Sequence, residues 1–297
     1  MSFPMKKVFV LIAVAAASLA HAAPVTPIYL GDHGVPEGSG ITASRQHPGV
    51  YWMHPDSNHP AVVYAVSEQG QIIRVVDVTG ATNSDWEDIA IDASGNLWIG
   101  EIGGGRGTLY RIPEPDPNGS GASAPAEVFL FDYPESVQDC ESLFVAGELP
   151  HLIQKRPLNA RVFGYPSTPI RDVDTMLEFV GEFDNSGFWI TGADISSDGR
   201  RLALVSDSAN WHWVIERAAG SNDASDFFTS PTNVWRADFD NGGSGSGGAE
   251  AITFRAGTYD FIVANEQGDM WLVTQEMYEG GGSTSPPDAP QNLRVAP

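Results

Sequence analysis

Cysteine is almost missing from this sequence: Cys140 is the only one. One thiol cannot close an internal disulfide, and zinc sites built on two or more cysteines are excluded. Positive charge is also scarce. Sixteen Lys+Arg stand against 38 Asp+Glu, a formal net charge of −22, and that sign opposes nucleic acids and anionic membranes as partners. Apolar runs are short. The longest, residues 8–20, falls well below a membrane span. Extended helical periodicity is lacking, and no Gly-x-Ser-x-Gly nucleophile elbow occurs, which counts against a serine hydrolase.

The first residues read as an address. Lys6 and Lys7 precede the apolar run, and Ala20-His21-Ala22 follows it as a small-x-small cleavage site. This is the pattern of a secretory signal peptide, with cleavage after Ala22. The expected product is a released, monomeric protein of the periplasm or extracellular space. The domain organisation follows: a signal peptide over 1–22, one folded domain over 23–279, and a Gly/Ser/Pro tail over 280–297.

Within the folded domain, short runs rich in Val, Ile, Phe, Tyr and Trp alternate with Gly- and Pro-containing turns. That composition suits strands. Five segments look alike: Ser39-Gly40-Ile41-Thr42, Glu87-Asp88-Ile89-Ala90, Glu141-Ser142-Leu143-Phe144, Ala193-Asp194-Ile195-Ser196 and Glu250-Ala251-Ile252-Thr253. They recur about every 50 residues, the period of a propeller blade. The fold class predicted is an all-β propeller of four-stranded blades, five preferred and six left open. In the second unit the strands read as 89–92, 97–101, 109–112 and 128–131. The last unit has room for only three strands, so 26–30 is expected to supply its fourth and close the ring.

In a propeller, the loop before each innermost strand and the loop between strands two and three open on one face. Those loops carry Asp32, His33, Glu37, Asp56, Asp85, Glu87, Asp88, Asp139, Glu141, Asp194 and Glu250. Carboxylates gathered at one mouth repel and call for protons, Arg or Lys, or a hard cation. Oxygen donors without sulfur suit calcium first and magnesium second. The metal ligands expected are Glu87, Glu141 and Asp194, with Asp56 and Asp88 nearby. A wet acidic channel balanced by Arg106, Lys155 and Arg156 is the other reading.

Asp85-Trp86-Glu87-Asp88-Ile89-Ala90, Gly100-Glu101-Ile102-Gly103, Asp139-Cys140-Glu141-Ser142-Leu143 and Thr191-Gly192-Ala193-Asp194-Ile195-Ser196 resemble a family of uncharacterised secreted bacterial propellers. That family usually has Gly-Asp-Ile-Gly-Asn-Asn at the second block; here Glu101, Gly104 and Gly105 depart from it. More distantly, the acidic channel is similar to calcium-bearing lactonase and gluconolactonase propellers. That resemblance implies metal-assisted hydrolysis of an ester, lactone or phosphoester. His54 or His59 would then be the base and Arg106 the anion holder. The alternative is a non-catalytic module that binds a glycan or a protein, and a glycosidase using paired carboxylates is a third option.

Other signals are weaker. Asp116 to Glu127 has calcium-loop spacing but lacks flanking helices and contains Pro125, so it reads as a long turn. Trp86, Trp189 and Trp213 fall near the mouth, where they could stack on a sugar. Residues 286–295 resemble the opening strand of a fibronectin type III domain.

Overall fold

The structure, a computed structural model, describes residues 25–104, 106–137, 139–207, 211–238 and 248–280. The segments expected to be a signal peptide and a fibronectin-like strand, with Gly105 and residues 208–210, lie outside it. Among the described residues no helix is long and apolar enough to cross a membrane.

The chain opens with β1 (Ile28–Asp32). Blade 1 follows as β2 (Gly38–Ala43), β3 (Val50–Pro55), β4 (Val62–Ser67) and β5 (Ile72–Thr79). Blade 2 is β6 (Trp86–Ile91), β7 (Asn96–Glu101), β8 (Arg106–Pro113) and, after the short β9 (Ser123–Pro125), β10 (Glu127–Asp132). Blade 3 is β11 (Cys140–Ala146), β12 (Leu149–Gln154), β13 (Ala160–Gly164) and, after β14 (Thr175–Met176), β15 (Glu178–Phe183). Blade 4 is β16 (Ile190–Ile195), β17 (Arg201–Ser206), β18 (Trp211–Glu216) and, past the one-turn α1 (Asp226–Thr229), β19 (Asn233–Asp238). Blade 5 is β20 (Ala249–Phe254), β21 (Phe261–Asn265) and β22 (Asp269–Val273), before α2 (Gln275–Gly280).

Five blades result, and β1 completes the fifth by pairing antiparallel with β22. The ladder begins at Ile28, two residues later than the sequence suggested. Pro27 has no N–H to give to it, and Val25 instead donates to Asp238 O on blade 4. The ring is thus closed by the first and last strands of one sheet.

Two segments that read as plain turns do more. β9 pairs parallel with β5, and β14 pairs parallel with β10. Each long connection reaches back to the preceding blade and covers part of its outer edge, a common protection against stray strand pairing. The Asp116 stretch belongs to the first of these connections. Its Asp116 carbonyl accepts from Arg74, and Glu127 is held by Arg111.

The core lies between blades. Period-two alternation along each strand sends one set of side chains to each neighbouring blade. Trp52, Val63, Trp86, Ile89 and Ile99 fill the gap between blades 1 and 2. Trp98, Phe129, Leu143 and Phe163 fill the next, and Phe144, Ile190, Leu204 and Trp213 the one after. Each large apolar side chain buried this way contributes about 1.5–3 kcal/mol.

Candidate functional site: an acidic mouth with one lysine

The five innermost strands β2, β6, β11, β16 and β20 are neighbours around the axis. Each carries a β-bulge at the same place. The register with the second strand slips at Ser39, Glu87, Glu141, Thr191 and Glu250. An extra residue in one strand twists it and re-aims a side chain. The fivefold repeat therefore delivers three glutamates and two hydroxyls to one end of the channel.

This alignment corrects the repeat in blade 4. The sequence comparison matched Ala193 to Glu87, whereas the bulge matches Thr191. A slip of two residues leaves a period-two pattern unchanged, so the sequence could not reveal it. The consequence falls on Asp194, which lies deeper along its strand than Glu87 and Glu141 do on theirs.

The residues below the bulges hold the ring together. The free edge of an innermost strand presents backbone N–H groups with no strand to receive them. Asp88 Oδ2 accepts from Leu143 N at 2.8 Å and Ala193 N at 3.2 Å, and Oδ1 accepts from Ile89 N at 2.8 Å. One carboxyl thus ties blades 2, 3 and 4. Asp194 Oδ2 accepts from Phe254 N at 2.8 Å and from the Thr253 hydroxyl at 3.0 Å, and Thr253 Oγ1 accepts from Ala43 N at 2.9 Å. Those contacts tie blades 4, 5 and 1. At the bulges themselves Ser39 donates to Glu87 O at 2.7 Å and Thr191 to Ala249 O at 2.9 Å. Strands come so close here that a side chain on Gly192 would stand 2.6 Å from Glu250 O. Two of the expected metal ligands, Asp88 and Asp194, are already engaged as staples between blades.

Above them the carboxyls crowd. Glu87 is pushed up to about 10, first by burial and then by Glu141, Asp85, Asp56 and Asp139. Glu250 is pushed up to about 9 by burial and by Glu141, Asp207 and Glu266. Gly103 helps to pack them, because a Cβ there would collide with the Asp85 and Glu87 carboxyls. Glu141 rises only to about 7. Burial lifts it, and the hydrogen bond and charge of Lys155 pull it back. Lys155 Nζ stands 2.5 Å from Glu141 Oε1, 3.8 Å from Asp207 Oδ2 and 5.6 Å from the centre of the Trp189 ring. The sequence offers Lys155 only as a counter-charge and Glu250 only as one of the mouth acids. The bulge position is the signal that singles out Glu250.

The structure brings Glu87, Glu141 and Asp56 to the same end. The expected bases and the arginine have other bonding partners. His54 is fully buried, with its ring edge-on to Trp86 and Nδ1 2.9 Å from Pro55 O. Burial drives it down to about 4. His59 Nε2 lies 2.7 Å from Glu37 Oε2 at the rim. Arg106, on β8, is held by Asp174 and lies 3.7 Å from Asp132. Cys140 is buried and its thiol is pushed up by that burial.

The donors at the mouth are hard oxygens, which is calcium chemistry. Their arrangement is not a cage, however. Among the described residues no three His, Cys, Asp or Glu side chains are set to hold a metal ion, and the Lys155 ammonium sits between Glu141 and Asp207.

No protein-family model matches the chain, and no curated protein matches it. A solved structure that aligns with it is the Cps50 (Swd1) β-propeller domain of Myceliophteria thermophila. The alignment has a TM-score of 0.46 and 10% identity, over 83% of this chain and 98% of that one.

Proposed function

We propose that this is an exported propeller that binds a carbohydrate at the acidic mouth. The observation that carries the reading is Trp189. It is 45% exposed at the side of Lys155, which in turn bonds Glu141. A partly exposed aromatic ring beside clustered carboxyls and an ammonium suits a sugar, whose C–H face stacks while its hydroxyls both donate and accept. Trp86 and Trp213, the other tryptophans near the mouth, are buried and belong to the packing between blades.

Hydrolysis of a glycosidic bond is a second reading, favoured by one feature. Glu87 and Glu141 sit at equivalent bulges on neighbouring blades and hold their protons with different strength. Such a pair divides into an acid, Glu87, and a carboxylate, Glu141. This reading relies on an acid–base pair and not on the metal-assisted ester route.

Calorimetry against neutral cello-, xylo-, chito- and malto-oligosaccharides tests the reading. At least one series should bind, and Trp189→Ala should weaken that binding by about tenfold, the equivalent of ~1.4 kcal/mol, with an unchanged melting temperature. Failure of every series to bind, or a Trp189→Ala protein that binds like wild type, would sink it. Glu87→Gln and Glu141→Gln should abolish any turnover of the bound sugar.

A further inference from the structure

We infer that Lys155 is the resident cation of the mouth, and that the site is balanced by this tethered ammonium in place of a divalent metal. The inference goes beyond the carbohydrate reading and stands whether or not a sugar binds. Lys155 is the one lysine after residue 7. It arises at the end of β12, whose neighbour β11 carries Glu141, and its backbone N–H donates to Asp139 O at 3.1 Å. The side chain is 17% exposed and that of Glu141 13%. Asp207 approaches from blade 4, and Glu250 from blade 5 is within electrostatic reach. The ammonium thus faces acids from three blades.

An ammonium supplies three donors and one charge at fixed reach from its own strand. Calcium would need six to eight oxygens drawn around one point. Here one acid is bonded to the lysine and a second, Asp207, lies 3.8 Å from it. A divalent ion would first have to break the Lys155–Glu141 pair. That pair is largely out of water, and removing one member leaves an uncompensated charge.

The test uses the mature wild-type protein, K155M and K155M/E141Q. Each is dialysed against metal-free buffer, assayed for calcium by elemental mass spectrometry, and melted with EDTA or millimolar calcium. Wild type should carry no stoichiometric calcium and melt alike in both. K155M should melt several degrees lower in EDTA, and calcium should recover at least half of that loss. K155M/E141Q removes both charges and should melt near wild type without calcium, which keeps the test open if K155M alone fails to fold. The inference is overturned if wild type retains calcium or is stabilised by it. It is also overturned if K155M melts like wild type, or if the double variant is no more stable than K155M.

Discussion

The Asp88 carboxyl accepts the N–H of Leu143, on the neighbouring blade, at 2.8 Å. With Ala193 and Ile89 also donating to it, a single side chain satisfies three backbone groups that an open strand edge would leave bare. Asp88→Ala orphans all three at about 1–3 kcal/mol each before relaxation. A total near ~3 kcal/mol should lower the melting temperature by roughly 6–12 °C in a domain of this size. Asp88→Asn keeps an acceptor for two of the three donors and should fall between. Calorimetric melting of both variants checks this; a neutral Asp88→Ala would refute the staple.

The carboxyls of the mouth predict a stability that falls as pH rises. Glu141, Glu250 and Glu87 bind protons more tightly folded than unfolded, with values near 7, 9 and 10. A raised acid is at no disadvantage below its unfolded pKa of about 4.5. Above that, ionisation is opposed in the fold, and stability is lost until the folded pKa is passed. Melting temperature should therefore decline from pH 5 towards pH 9. Glu87→Gln should flatten the decline and melt about 2–4 °C higher at pH 8, the equivalent of ~1 kcal/mol. A melting temperature that climbs over this range would contradict the crowding.

Arg201 predicts how the C-terminal helix is held. Its guanidinium lies 3.8 Å from the Tyr259 ring and 4.5 Å from the Trp235 ring. It also bonds Glu216 at 2.9 Å, Glu279 at 2.7 Å and the Tyr278 hydroxyl at 2.7 Å. Two of those partners are on α2. Arg201→Ala should cost about 3 kcal/mol, as loss of one member of a buried ion pair does. It should also expose α2 to protease, visible as early C-terminal trimming by mass spectrometry.

Ring closure can be tested at β1. Ile28 and Tyr29 pair with Leu272 and Trp271, so a protein starting at His33 leaves β22 with an open edge. It should lose its cooperative melt and aggregate on concentration. A truncated protein with an unchanged sharp transition would show that blade 5 stands on three strands.

Much of this architecture could be read in advance. The repeat, the alternation within each strand and the shortage of strands in the last unit are local patterns, and they led to five blades closed by the N-terminus. The mouth acids were legible as a group, because strand direction alone decides which loops share a face. Individual roles were not. Asp88 and Asp194 look like free ligands in a one-dimensional repeat, since nothing in it shows which backbone N–H groups lack partners. Arg106 looked available because Asp174 lies far along the chain. His54 looked like a loop base, yet it is the end of a buried strand.

By itself, then, the order of residues determined the period and the hydrophobic faces, because both depend on neighbours along the chain. Tertiary structure decided the two-residue shift that pairs Thr191 with Glu87, the stapling of bare strand edges by Asp88, and the seat of Lys155 against Glu141. Each requires distant strands to meet around a closed axis, and only a ring of blades brings them within hydrogen-bonding reach.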